Sequence, residues 1–270
     1  GVVHRPVLLD QAIQALQLQD GGVYVDATFG GGGYSRAMLD GAACRVIGID
    51  RDPEAVARGR ALASRHPTFT MLHSPFGSLP TALGAVGVIE VDGIVFDLGV
   101  SSFQLDQQER GFSFQADGPL DMRMALSGPT AADLVNGLEE AELSSLLYRY
   151  GDEPQARAIA RAIVETRRAA PITTTAELAA LVARAKGGRQ GPRDPATRTF
   201  QALRMVVNDE VGELERGLAA AELLLRTGEQ EHRALERRLG ASSDPDVGPR
   251  PVGGLHGGAL VDVPAARERA

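Results

Sequence analysis

A run of glycines follows a short stretch that has the composition of a β-strand. The stretch contains Asp26, and Gly30 to Gly33 stand before a segment with helical spacing. Glycine lets the backbone approach a ligand closely, and the first turn of a helix has free N–H groups. The pattern predicts a ligand-binding loop, although a plain flexible turn has the same composition. The dinucleotide fingerprint fits badly, because Ser35 stands where its last glycine is required.

A second acidic residue follows the next predicted strand. Asp50 ends this strand, 20 residues after Gly30. In nucleoside-binding sheets, an acid at this spacing accepts hydrogen bonds from both ribose hydroxyls. Asp52 competes for this role, but its place before Pro53 is typical of a helix N-cap. The glycine loop and Asp50 together predict a nucleoside cofactor, but they do not distinguish NAD from S-adenosylmethionine.

A third acidic residue, Asp97, ends the fourth predicted strand and is followed by Leu98-Gly99-Val100-Ser101-Ser102. The carboxyl ends of the strands hold the ligand in doubly wound sheets. In amino-directed methyltransferases, the loop after the fourth strand binds the target amine. The alternative is that Asp97 only caps the next segment.

The elements that must position these residues alternate between strand and helix. Period-2 and apolar runs predict strands at 23–27, 45–50, 68–72 and 91–98, and helical spacing predicts helices at 7–18, 35–39 and 53–65. This alternation is typical of a doubly wound, mostly parallel α/β sheet that is covered on both faces.

The composition changes after the fourth strand. A long polar segment at 99–126 is predicted to be a functional loop, and residues 130–185 are predicted to be helical. A single long helix is predicted at 196–225, with an apolar stripe of Phe200, Leu203, Val207, Val211, Leu214 and Leu218. We therefore predict a helical insert at 104–195, within a cofactor-binding domain formed by 1–103 and 196–270.

The charge is unevenly distributed along the chain. The formal net charge is −7, yet residues 149–204 contain eleven basic and five acidic side chains. Such a split favours an insert that meets phosphates, as in RNA, although solvated helix faces have the same composition.

Composition also limits the class of protein. The single cysteine, Cys44, excludes an internal disulfide and fits a reducing cytoplasm. The five histidines have no zinc-ligand spacing, so we expect no metal site. No apolar run approaches the roughly 20 residues of a membrane helix, and the first ten residues show no signal pattern. We expect a cytoplasmic protein that does not bind membranes.

Seven stretches together resemble one family, the bacterial 16S ribosomal RNA (cytosine-N4) methyltransferase H family, also called MraW. They span residues 4 to about 225 and include YVDATFGGGGYSR (24–36), GIDRDPEA (48–55), DGIVFDLGVSS (92–102) and YGDEPQARAIARAIVETR (150–167). The run RGFSFQADGPLDMRM (110–124) is the most specific of the matching motifs.

The resemblance implies a class I, Rossmann-like methyltransferase that uses S-adenosylmethionine. It further implies methyl transfer to the exocyclic N4 of a decoding-site cytidine in 16S ribosomal RNA, with the small ribosomal subunit as partner. The oligomeric state stays open, a homodimer included. Phe76 is expected to cover the adenine, and Asp97, Ser101 and Ser102 are the catalytic candidates. The implied cofactor contacts are Gly32, Gly33, Tyr34, Asp50, Phe76, Asp97 and Gln104.

Three departures from the family pattern stand out. Tyr34 replaces a histidine, Phe103 replaces a proline, and the family's closing strands are not recognisable after Leu225. We expect a sheet without these strands and a poorly packed tail from about Gly240, where only 259–263 resembles a strand. A catalytically impaired RNA-binding relative is therefore the alternative function. For stacking a target base, the aromatic candidates are Phe103, Phe112 and Phe114, the last two being expected to serve in packing.

Overall fold

The computed structural model describes residues 8–188, 194–226 and 258–262. Contacts divide the chain into two compact units. The first unit contains the described residues up to Leu98 and from Glu213 onward, and the second contains those between Gly99 and Gly212. Within these ranges, no helix combines the length and the apolar character that crossing a bilayer requires.

The elements are, in chain order, α1 (Leu9–Leu16), β1 (Val23–Asp26), α2 (Gly33–Gly41), β2 (Arg45–Asp50), α3 (Pro53–Ala63), β3 (Phe69–His73), α4 (Leu79–Gly84), β4 (Gly93–Asp97), α5 (Ser102–Asp106), α6 (Ala131–Gly137), α7 (Glu140–Gly151), α8 (Ala156–Arg167), α9 (Thr175–Ala185), α10 (Thr197–Val207), α11 (Glu210–Leu224) and β5 (Gly258–Asp262). Single 3₁₀ turns lie at Phe76–Ser78 and Gln108–Arg110.

The first unit is built on one parallel sheet with the strand order β3-β2-β1-β4-β5. Its central strands are apolar between their ends, and Val25, Ile47 and Ile94 are fully buried. This is the composition of strands that are covered on both faces. The order reverses between β1 and β4, where doubly wound sheets bind their ligands. The predicted α/β class is confirmed.

The predicted strand at 259–263 is confirmed as β5. It pairs along the whole of β4, from Gly93 opposite Gly258 to Asp97 opposite Asp262. The expectation that the sheet lacks its closing strands and leaves one edge uncovered is therefore wrong at the outer edge of β4, which β5 covers with backbone hydrogen bonds. The remainder of the predicted poorly packed tail, 240–257 and 263–270, lies outside the described residues.

The single helix predicted at 196–225 is wrong. Two helices, α10 and α11, occupy this segment, and the break contains Asp209 with a φ of +47°. Because the break changes the helical phase, the predicted apolar stripe fails in α11. Val211 and Leu218 are 39% and 41% exposed. The buried residues of α11 are mostly small: Glu213, Gly217, Ala220, Ala221 and Leu224.

The second unit is wider than the predicted insert. It extends from Gly99 to Gly212, whereas the sequence predicted 104–195. The reason is α10, which packs against α7 and buries Phe200, Ala202 and Leu203 in the core of the helical unit.

The segment 110–124 is a fixed part of this helical core. Arg110 is 5% exposed, and its guanidinium donates to the carbonyls of Arg123 and Met124. Asn208 accepts from the Met124 N–H at 2.8 Å and donates to the Met122 carbonyl at 2.8 Å. These bonds explain how a non-repetitive segment with a φ of +64° at Met122 keeps one conformation.

We predict that Asn208→Ala destabilises the second unit by at least about 2 kcal/mol, because a buried N–H and a buried carbonyl each lose a partner. Urea unfolding followed by circular dichroism measures the loss. Gln201→Ala, at an exposed position of α10, is the matched control and should change stability by less than about 0.5 kcal/mol. Equal stability of the two variants would contradict this role of Asn208.

Candidate functional site

Three aspartates end neighbouring strands at one edge of the sheet. Asp26, Asp50 and Asp97 are the last residues of β1, β2 and β4, and these strands adjoin in the order β2-β1-β4. Parallel strands bring their carboxyl ends to the same edge, so the structure places the three predicted acids together.

The glycine loop connects β1 to α2 along this edge. Gly30 and Gly32 have φ values of +50° and +74°, which side chains rarely adopt. A Cβ on Gly32 would also lie 2.6 Å from the ring of Phe29. Gly32 is the N-cap of α2, and Gly33 begins the helix. The loop therefore brings backbone and a helix N-terminus to the site, as the sequence predicted.

Asp50 is held by two backbone N–H groups. Gly30 donates to Oδ2 and Asp52 donates to Oδ1, each at 2.8 Å. A carboxylate has about four lone-pair positions, so these bonds leave acceptor capacity for hydroxyl groups. Burial raises the pKa of Asp50, while the two N–H bonds lower it. Asp52 is the N-cap of α3 and accepts from the Glu54 N–H, which confirms the alternative predicted for it.

Asp26 anchors the start of α2. It is fully buried, and its Oδ2 accepts from the Ser35 hydroxyl at 2.7 Å and the Ser35 N–H at 3.1 Å. Burial raises the pKa of Asp26 to about 6, against the lowering effect of the Ser35 bonds. With no exposed surface, Asp26 acts on the shape of the loop.

Thr28 is a site residue that the sequence analysis missed. Its hydroxyl oxygen accepts from the Asp97 N–H at 2.7 Å, which joins the glycine loop to the end of β4. The polar side chain between Ala27 and Phe29 was the only signal for it. The side chain of Asp97 is partly exposed at this edge.

Phe76 lies in the 3₁₀ turn after β3, in the same unit. Its partly buried ring packs edge to face on Phe96, with the centroids 5.5 Å apart. The next residue, Gly77, donates its N–H to Glu213 of α11 at 2.8 Å. Phe76 is therefore a packed aromatic ring that still has exposed surface.

Tyr34 differs from the other predicted cofactor residues. Its side chain is 2% exposed and belongs to the core cluster that includes Met38 and Val46. A cofactor contact of Tyr34 stays a prediction. Because the ring lies in the core, the predicted contact is one of the Tyr34 backbone.

Ser101, Ser102 and Gln104 lie in the second unit at the start of α5. Ser101 accepts from the Gln104 N–H, and the Gln104 side chain accepts from the Ser101 N–H at 3.0 Å. This is a capping box, and Gln104 is 7% exposed. The Ser-x-x-Gln spacing predicts such a box, and the sequence analysis did not use it. Catalytic and cofactor roles of these residues stay predictions.

The three aromatic candidates for base stacking differ in exposure. Phe103 is 44% exposed, whereas Phe112 is 7% exposed in the core of the second unit. Phe114 packs edge to face on Phe200, with the centroids 4.7 Å apart. Packing is thus confirmed for Phe112 and Phe114, and Phe103 presents a ring surface.

The basic residues of the second unit fall into two groups. Lys186 and Arg204 form ion pairs of 2.8 and 2.7 Å with Glu153 and Glu210. Arg167 and Arg198 donate to backbone carbonyls, and Arg189 and Arg193 lie outside the described residues. The second group is exposed, as Arg198 also is: Arg149, Arg157, Arg161, Arg168 and Arg184. Part of the positive charge therefore serves the fold.

We predict that the stability of the wild type falls, relative to Asp26→Asn, as the pH rises from about 4 to 7. The folded protein holds the Asp26 proton up to about pH 6, whereas the unfolded chain releases it near 3.8. The difference approaches about 3 kcal/mol, from about 1.4 kcal/mol per pKa unit. Urea unfolding across this range measures it. Asp40→Asn, exposed on α2, is the matched control, and a flat Asp26→Asn difference would contradict the shifted pKa.

Comparison with known proteins agrees with this geometry. Residues 1–230 match the model of the MraW methylase family. A ribosomal RNA small subunit methyltransferase H of Rhodospirillum centenum is 57% identical over 227 residues, which cover 84% of this chain and 69% of the relative. The protein of the same name from Rhodospirillum rubrum is 56% identical, with 83% and 69% covered. The match to a solved mycolic acid cyclopropane synthase covers 77% of this chain and 78% of that chain, with 15% identity and a TM-score of 0.29. The chain belongs to the MraW methylase family.

Proposed function

We propose that this protein transfers a methyl group from S-adenosylmethionine to the exocyclic N4 of a decoding-site cytidine in 16S ribosomal RNA. The observation that carries the proposal is the shared edge of the sheet, where the glycine loop, Asp50 and Asp97 meet in a chain of the MraW methylase family. Relatives named ribosomal RNA small subunit methyltransferase H support the substrate class. Such a substrate and the single buried thiol of Cys44 fit a cytoplasmic protein.

The residues present fit S-adenosylmethionine. The open lone pairs of Asp50 suit the two ribose hydroxyls, and the ring of Phe76 suits the face of the adenine. Gly32 and Gly33 allow backbone to approach the amino-acid end, because a side chain at Gly32 would collide with Phe29. When bound, S-adenosylmethionine supplies an electrophilic methyl group on a sulfonium.

The chain's own contribution to the reaction is mainly positioning. The N4 amine of cytosine is a poor nucleophile because its lone pair is delocalised into the ring. The side chain of Asp97 is partly exposed, and its backbone N–H is bonded to the Thr28 hydroxyl. Its carboxylate would accept a hydrogen bond from an N–H of this amine and direct the lone pair toward the methyl group. The target base must leave its stack to reach such a site. In the second unit, exposed Phe103 is the aromatic candidate for stacking a base.

The RNA surface that we propose is the exposed face of α8. Arg157 and Arg161 lie there, and Arg168 directly follows the helix, so the three are spaced by four and seven residues, with Glu165 between them. Within the part of the chain that the structure describes, Arg161 has a distant 3.8 Å contact to Glu140, and its side chain is 70% exposed. The guanidinium groups are thus available for phosphates.

The alternative of an RNA-binding relative without catalysis rested on the unrecognised closing strands. The pairing of β5 with β4 removes part of this reason. Methyl transfer decides between the two functions. The purified chain, labelled S-adenosylmethionine and small-subunit RNA should yield N4-methylcytidine in a nuclease digest analysed by mass spectrometry. Binding of both partners without any methylated nucleoside would favour the alternative.

We predict that Asp50→Ala weakens S-adenosylmethionine binding at least about tenfold, because hydrogen bonds to a charged group contribute about 1.5–3 kcal/mol. Isothermal titration calorimetry measures the dissociation constant. Asp40→Ala, exposed on α2, should bind as the wild type does. Unchanged affinity of Asp50→Ala would remove this residue from the site.

We predict that the double variant Arg157→Ala/Arg168→Ala lowers the salt dependence of RNA binding. Each lost phosphate contact should reduce the slope of log K against log salt by about 0.7–0.9. Fluorescence anisotropy with a small-subunit RNA fragment at several salt concentrations measures the slope. Arg60→Ala/Arg65→Ala removes two exposed arginines of the first unit as a charge-matched control. Equal slopes in both double variants would mean that RNA binds elsewhere.

A further inference from the structure

The buried face of α11 carries two residues that are fitted to the turn at Phe76. We propose that Glu213 and Gly217 are positioning residues that set the place of the Phe76 ring, and thereby the affinity for the adenosyl group. The inference rests on the proposed function, in which Phe76 covers the adenine. The inference adds residues of α11 to those that determine the site, although this helix lies outside the strand ends and the glycine loop.

Glu213 fixes the backbone of the turn. It is 6% exposed, its Oε2 accepts from the Gly77 N–H at 2.8 Å, and its Oε1 accepts from Arg216 at 2.8 Å. A Cβ on Gly77 would lie 2.9 Å from Arg216 and 3.0 Å from Glu213. The turn therefore lies directly against this ion pair, and a side chain at position 77 would displace it.

Gly217 fixes the ring itself. A Cβ at this position would lie 2.7 Å from Cδ2 of Phe76 and 3.1 Å from Cε1 of Phe96. Phe96 is fully buried and packs edge to face on Phe76, so it leaves no room for the displaced ring on that side. One added methyl group must therefore move Phe76 from its present position.

Helix stability alone does not explain the glycine. Gly217 lies inside α11, where alanine would favour the helix by about 1 kcal/mol. Its neighbours on the buried face, Ala220 and Ala221, show that this helix accepts alanine against the sheet. The close approach of the Phe76 ring is what distinguishes position 217.

The first test compares Gly217→Ala with Gly84→Ala. A Cβ on Gly84, in α4 of the same unit, meets no atom within 4 Å. Calorimetry should show that Gly217→Ala weakens S-adenosylmethionine binding at least about fivefold, as a misplaced contact group does, whereas Gly84→Ala binds as the wild type. At saturating S-adenosylmethionine, kcat and the KM for RNA should be unchanged, because neither variant touches the methyl-acceptor side.

The second test is a double-mutant cycle with Phe76→Leu. If Gly217 acts through the ring, Gly217→Ala should change affinity less than about twofold once the ring is gone. An undiminished effect in the Phe76→Leu background would overturn the inference. If the wild type and Gly217→Ala bind S-adenosylmethionine equally well, the inference about Gly217 is wrong and the proposed function is unaffected. If the wild type does not bind S-adenosylmethionine, the proposed function fails first.

The third test remains informative even if Gly217→Ala does not fold. Glu213→Ala removes the acceptor for the Gly77 N–H, whereas Glu213→Gln keeps an oxygen there and should retain most of the affinity. Glu222→Ala, exposed on the same helix, is the control. Thermal unfolding without ligand identifies variants that fold. Wild-type affinity in a folded Glu213→Ala would overturn the role of Glu213.

Discussion

The site depends on one constraint, the common direction of the five strands. Because every strand runs the same way, the last residue of each arrives at one edge, however far apart the strands lie in sequence. Asp50 and Asp97 are 47 positions apart in the printed sequence and yet flank the same glycine loop. The Thr28 hydroxyl then links two neighbouring strand ends by one hydrogen bond. The glycine loop, the aspartates and the turn at Phe76 are therefore all placed by the shared direction of the strands.

Local signals in the sequence predicted the parts of the site that local physics determines. The glycine loop, Asp50 at a strand end and Asp52 as an N-cap were correct, because each needs only a few neighbouring residues. The capping box of Ser101 and Gln104 was equally local and could have been predicted. The roles of Thr28 and Glu213 could not be predicted from local signals, because their partners Asp97 and Gly77 lie 69 and 136 residues away in sequence.

One error and one open point have a common physical cause. The helix predicted across 196–225 assumed one phase, and the break at Asp209 gave α11 a different buried face. The charge pattern did not indicate which cations are paired within the fold, and Lys186 and Arg204 pair with Glu153 and Glu210. In both cases tertiary contacts decide which face of a helix is used, and periodicity and composition carry no information on the partner.

The separation between Gly77 and Glu213 has a consequence for synthesis of the chain. The contact joins residues 136 positions apart, and the bond between Arg226 and Asp92 joins residues 134 positions apart. A nascent chain that has emerged only to the end of α10 already contains the glycine loop and β1 to β4. It still lacks α11 and β5, so the outer edge of β4 is unpaired and the Gly77 N–H lacks its acceptor Glu213. On the translating ribosome, the four strands β1 to β4 must therefore wait for more than a hundred residues before the outer edge of β4 is protected.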